Sequence, residues 1–194
     1  MTGRSARVAE RIRAFAGLDP PAWLLEARLA ERARALGLDL MRYLELASGD
    51  GDEAAREQAA LADLLRVGET RFFRHRAHVT ALRERVIPER AQAAARERRP
   101  LSAWSAGCAT GEEAFTLALL LDEAEPPSGF EVLATDLSEE ALACARRAIY
   151  PAERVAEVPA ALRARGFDGE SVRPSLRARV RFERHNLTGA RYPT

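Results

Sequence analysis

The sequence predicts an α/β chain: an all-helical N-terminal domain over 1–74, then a domain over 75–194 that opens on a βαβα unit. Three observations predict it. Residues 1–66 carry apolar residues at helical spacing between strong breakers. Leu101-Ser-Ala-Trp-Ser-Ala-Gly-Cys-Ala-Thr-Gly-Glu-Glu113 runs an apolar strand into a two-glycine turn and straight onto a helix. Phe130-Glu-Val-Leu-Ala-Thr-Asp136 then repeats the strand, with a carboxylate at its end. Together these spell βαβα.

In chain order, helices are predicted over about 4–16, 21–36, 40–47 and 53–66, separated by Pro20-Pro21, Gly37 and Ser48-Gly49-Asp50-Gly51. On the second, Trp23, Leu24, Ala27, Ala30 and Leu36 are expected to face inward, with arginines between them in solvent. A longer helix over 76–97 leads to the first strand. In the turn, Gly107 and Gly111 remove side chains where backbone approaches a ligand or takes positive φ. Thr110 and Glu113 stand three apart as an expected capping box, and Ala114, Leu117, Ala118 and Leu121 continue the helix. Ser138 is expected to cap a helix over 139–148. Beyond Pro151 the pattern predicts a short helix near 159–165, a turn at Gly166–Gly169 and a third strand at Ala178–Glu183, ending in His185-Asn186-Leu187.

Asp136 follows Glu113 by 23 residues and sits where such units place an acid to accept ribose hydroxyls. A nucleotide-like cofactor is therefore expected at Gly107, Gly111 and Asp136. Its identity stays open on spacing alone, because the glycines do not spell G-x-G-x-x-G, and a crossover turn that binds nothing is the rival reading.

Composition narrows the classes. Thirty basic and 29 acidic residues give a net charge of +1, so no global field favours nucleic acid or an anionic membrane. Every basic residue is arginine, which removes lysine nucleophiles and Schiff bases. Cys108 and Cys144 have neither metal-ligand nor disulfide-framework spacing; His75 and His78 form an i, i+3 pair that lacks a further ligand, so no metal is expected. Without a signal-like or membrane-spanning apolar run, a cytoplasmic location is expected, with no membrane insertion.

Gly68-Glu-Thr-Arg-Phe-Phe-Arg74, Trp104–Glu113, Ala134-Thr-Asp136-Leu-Ser138, Ala145-Arg-Arg-Ala-Ile-Tyr-Pro151 and His185-Asn186-Leu187 occur in an order that resembles the CheR-type methyltransferases. The resemblance implies a Rossmann-like domain that binds S-adenosylmethionine, yields S-adenosylhomocysteine, and methylates glutamates in the cytoplasmic region of chemotaxis receptors. It implies Thr70 and Arg74 beside donor and receptor glutamate, with Arg74 orienting a carboxylate through its guanidinium fork. Glu112 or Glu113 and Asp136 would hold the amino-acid and ribose portions of the donor, and Asn186 and Leu187 would flank its adenine. Gly68 stands where the family often has asparagine. Arg28, Arg32 and Arg34 fall in a segment like the one that meets the receptor's acidic region, though Glu26 and Glu31 dilute the charge.

Relative to that family the methyltransferase domain is expected to be incomplete, lacking the strand that flanks the first. Leu101–Ser105 would then form a sheet edge open to dimerisation. Two other readings accompany the leading one: a non-catalytic remnant that retains cofactor or receptor binding, and a methyltransferase acting on a small molecule.

Overall fold

A computed structural model describes residues 3–66, 68–189 and 192. The chain divides into two compact units: one drawn from Met1–Val67 and Asn186–Thr194, the other Gly68–His185.

The first unit is helical: α1 (Gly3–Ala16), α2 (Ala22–Ala35), α3 (Leu40–Ser48) and α4 (Asp52–Leu65). Breakers act where expected. Pro21 precedes α2, and Asp39 caps α3 by accepting from the Arg42 amide at 3.0 Å. α1 and α2 each pack on α3 and α4 around Val8, Ile12, Leu25, Leu29, Tyr43, Leu44 and Leu61. The face of α2 differs from the expected one. Leu25, Leu29 and Ala33 are buried, whereas Trp23 is 70% exposed and Leu36 42%. Two apolar stripes compete on this helix, and the i, i+4, i+8 row with two leucines wins. That choice also brings Arg32 onto Glu57 through two hydrogen bonds, 3.0 and 2.8 Å, beside the Tyr43 hydroxyl, which donates to Glu57 at 3.3 Å.

In the second unit the predicted long helix is continuous but not uniform. α5 (Arg76–Ala81) passes through a π-helical turn at Leu82–Val86 into α6 (Ile87–Arg96). Pro88 explains it: proline cannot donate to the Glu84 carbonyl and its ring crowds that carbonyl, so the ladder widens, with the Ile87 amide donating to Leu82. Next come β1 (Leu101–Ala106), α7 (Glu112–Ala124), β2 (Phe130–Asp136), α8 (Glu139–Arg147), α9 (Ala152–Val155) and α10 (Ala160–Gly166). A small hairpin, β3 (Phe167–Asp168) with β4 (Ser171–Val172), replaces the expected turn; α11 (Pro174–Arg177) and β5 (Val180–Arg184) follow.

The main sheet is parallel in the order β1-β2-β5, with Leu101 opposite Phe130 and Val132 opposite Val180. This is the partial Rossmann-like arrangement expected. β5 starts two residues later than predicted because α11 carries helical backbone through Ala178. α7 covers β1 and β2, and α8 covers β2 and β5. Phe115, Leu119, Leu120, Val132, Ala134 and Leu142 fill the space between at 2% exposure or less, so the carboxyl ends of β1 and β2 rest on a dry, rigid base.

Candidate functional site

The turn between β1 and α7 is built from backbone that few residues tolerate. Gly107, Ala109 and Gly111 all have positive φ, at 79°, 47° and 97°. The Gly107 and Cys108 amides both donate to the Thr135 carbonyl, at 2.8 and 2.9 Å, which ties the end of β1 to the end of β2. The two glycines then differ. A Cβ at Gly107 would meet nothing within 4 Å, so that backbone borders open space. A Cβ at Gly111 would lie 2.8 Å from the Tyr150 hydroxyl and 2.9 Å from Ala145 Cβ.

The expected capping box does not form. Gly111, in left-handed backbone, takes the N-cap position of α7, one residue later than Thr110. Thr110 Oγ1 donates instead to Glu112 Oε2 at 2.6 Å, and Glu113 Oε1 accepts from Ser105 Oγ at 2.6 Å. The Ser138 cap does form, accepting from the Ala141 amide at 3.3 Å.

Asp136, 7% exposed, points back into the turn. Oδ2 accepts from the Ala109 amide at 2.8 Å and Oδ1 from the Ser138 amide at 2.9 Å. The carboxylate thus fixes both the glycine turn and the start of the next loop. Glu112 is buried at 3% and Glu113 is exposed, so the pair that spacing left equivalent is distinguished by environment.

The Gly68–Arg74 segment lies in the same unit. The Phe72 ring meets Tyr150 edge-on at 5.0 Å and Phe167 at 5.6 Å, and the Phe73 amide donates to Thr116 Oγ1 at 3.2 Å. The Thr70 carbonyl accepts from Arg154 Nη1, which also lies 3.4 Å from Glu112 Oε1. Arg74 donates to the Glu69 carbonyl at 2.7 Å and stands 3.9 Å from the Glu69 carboxylate, its side chain 47% exposed. So Thr70, Gly107, Gly111, Glu112, Glu113, Asp136 and Arg74 belong to one unit.

Asn186 and Leu187 belong to the helical unit, where Asn186 Nδ2 donates to the Phe15 carbonyl at 2.6 Å. Arg28, Arg32 and Arg34 lie on α2, bonded to Glu31, Glu57 and the Ala30 carbonyl respectively. Among the described residues no group of three or more His, Cys, Asp or Glu is placed to hold a metal, and no helix is long and apolar enough to cross a membrane.

Sequence reasoning gave Tyr150 and Arg154 no role, yet both touch the turn or its partner segment. Tyr150 Oη donates to the Thr110 carbonyl at 2.8 Å. Its place in the Ala145–Pro151 motif was the available signal; for Arg154, one arginine among many, there was none.

Cys108, buried inside the turn, is pushed up to about 12 by burial first and then by the Asp136 carboxylate. It should resist iodoacetamide at pH 8, whereas Cys144, half-buried, reacts; labelling of Cys108 in the native protein would overturn this. The same shift fixes an alkaline limit. A thiol whose pKa rises on folding stabilises fully below its reference value of 9.0, and that stabilisation is lost as pH climbs toward about 12. Urea midpoints should therefore fall above pH 9, with a slope of about 1.4 kcal/mol per pH unit for one group. Tyr43 and Tyr150, both raised chiefly by burial, steepen the fall further up the scale. A flat profile to pH 11 would contradict it.

The family model described as CheR methyltransferase, SAM binding domain, matches residues 68–194. Chemotaxis protein methyltransferase 2 of Pseudomonas aeruginosa is 32% identical over 172 residues, covering 83% of this chain and 56% of that protein. The chemotaxis protein methyltransferase of Borreliella burgdorferi is 28% identical over 184 residues, 88% of this chain and 63% of its own length. That of Salmonella typhimurium is 36% identical over 126 residues, 63% of this chain and 40% of the relative. The chain spans under two thirds of the length of each of these curated relatives.

Proposed function

The chain belongs to the CheR methyltransferase family, and on that premise we propose that it transfers a methyl group from S-adenosylmethionine to glutamate side chains of chemotaxis receptors. The observation that carries the reading is Asp136, locked onto the Ala109 amide beside the open flank of Gly107, at the carboxyl ends of two parallel strands. Ligands of open α/β sheets bind in that position. The residues fit the donor: an acid for ribose hydroxyls in Asp136, a buried acid for a cationic amino group in Glu112, and backbone free of side chain at Gly107. When bound, S-adenosylmethionine supplies a methyl group activated by its sulfonium.

The protein's own task is positioning. A receptor glutamate with an ordinary pKa near 4.3 is already ionised at neutral pH, so no strong base is required. Orientation of reacting groups can supply about 7–11 kcal/mol in the best cases. Arg74 is the proposed orienter: its contact with Glu69 is long and exposed, a kind of pair worth little, so a receptor carboxylate can take its place. Thr70 of the same segment is proposed to face the donor, and Glu113 completes the proposed donor contacts of this unit. Arg28, Arg32 and Arg34 are the proposed receptor-facing side of α2, Arg32 being the most firmly held internally, by Glu57. A cytoplasmic location follows from that substrate. Among the described residues β1 pairs only with β2, and a second copy pairing along its other edge is the proposed route to dimers.

The experiment is methyl transfer by the full-length protein. Membranes bearing receptors should gain base-labile label from tritiated S-adenosylmethionine, and calorimetry should register S-adenosylhomocysteine binding. Binding without transfer to receptors, together with methylation of a small acid, would favour the small-molecule alternative; neither binding nor transfer would sink the reading.

A further inference from the structure

We infer that Arg154 is a positioning residue for this reaction, clamping the segment that carries Thr70 and Arg74 to the buried carboxylate at the start of α7; the inference rests on the function proposed above. Arg154 sits on α9, four residues beyond Tyr150. Its Nη1 donates to the Thr70 carbonyl and stands 3.4 Å from Glu112 Oε1, and the Glu112 side chain is only 4% exposed. A carboxylate so buried needs a cation or several donors to be tolerated. Glu112 has Arg154 on one oxygen and the Thr110 hydroxyl on the other, which joins the glycine turn, α7 and the Thr70 backbone in one chain of contacts.

The rest of the segment is held further along, by the Phe72 ring cluster and the Phe73 amide on Thr116. Arg154 is thus the polar hold at Thr70, ahead of those anchors. Both contacts come from Nη1, whose two N–H groups are held at a fixed angle in the guanidinium plane, where an ammonium rotates freely on a flexible stem. The consequence is kinetic. In-line transfer between two carefully aligned groups is sensitive to drift of the segment that aligns them, and a misplacement of about 1 Å can cost about a hundredfold in rate.

Kinetics and hydrogen exchange on the full-length protein test this. Arg154→Met should lower kcat by about tenfold or more and, through Glu112, lower S-adenosylhomocysteine affinity by a smaller factor than kcat, and Arg154→Lys should recover part of kcat. In ligand-free protein, amide exchange across residues 68–74 should rise about tenfold in Arg154→Met, with β1 and β2 unchanged. Loss of kcat and affinity in equal measure, or unaltered exchange across 68–74, overturns the clamp. Should Arg154→Met fail to fold, Arg154→Lys carries the test, and wild-type kcat and exchange in that variant overturn the clamp too. An inactive, non-binding wild type would instead defeat the functional reading, while the exchange measurement still judges the clamp.

Discussion

Gly111→Ala is expected to destabilise the Gly68–His185 unit by about 3 kcal/mol, whereas Gly107→Ala, four residues earlier in the same turn, should cost about 1 kcal/mol. Both glycines have left-handed backbone, at φ 97° and 79°, so both substitutions carry the steric penalty of an L side chain there. Only at Gly111 is the space also taken. Its new Cβ would press on the Tyr150 hydroxyl at 2.8 Å and on Ala145 at 2.9 Å, and Ala145 belongs to the packed face of α8. Forcing extra volume into such packing costs about 1–3 kcal/mol, and displacing Tyr150 breaks its bond to the Thr110 carbonyl. Urea unfolding checks both variants. Tyr150→Phe, made in the Gly111→Ala background, removes the crowding oxygen and should recover part of the loss. Equal losses for the two glycines would show that space at Gly111 is not the deciding factor. The functional effects should run the other way: Gly107→Ala fills a flank that is open, and should weaken S-adenosylhomocysteine binding by more than its small effect on stability explains.

What could be read from the sequence follows from which interactions are local. β2 was legible to its last residue, because an apolar run ending in Asp136 before a Ser138 cap is decided within a few residues. The four N-terminal helices were legible because Pro21, Gly37 and the Gly49–Gly51 stretch break helix wherever they stand. The burial of α2 was not: its stripes are nearly equal in sequence, and the choice lies with Tyr43, Leu44 and Glu57 on other helices. The capping box failed for a similar reason. Gly111 takes up left-handed backbone to pack under Tyr150, 39 residues away, which shifts the N-cap by one and frees Thr110 for Glu112. At the site, Gly107, Glu112 and Asp136 were visible as residues of a strand-turn-helix. Arg154 was invisible, because its partners at Thr70 and Glu112 lie 84 and 42 positions away and nothing near it in sequence announces either.

Asp136→Asn should come close to Asp136→Ala in its damage, despite being nearly isosteric. Each carboxylate oxygen accepts from a buried backbone amide, Oδ2 from Ala109 and Oδ1 from Ser138. An asparagine has one oxygen to offer; whichever way it turns, its NH2 faces an N–H, and two donors meet where a donor and an acceptor met before. Leaving such an amide unsatisfied costs about 1–3 kcal/mol, and hydrogen bonds to a charged group contribute about 1.5–3 kcal/mol each, so a loss of about 2–4 kcal/mol is expected from either variant. The loosened elements are the two strand ends that frame the proposed donor site, so S-adenosylhomocysteine affinity should fall at least about tenfold as well. Urea unfolding and calorimetry on the same samples check the pair of effects. An asparagine variant with wild-type stability would mean the carboxylate does not organise the turn. Wild-type affinity in a destabilised variant would confine Asp136 to architecture and move the ribose-binding role elsewhere.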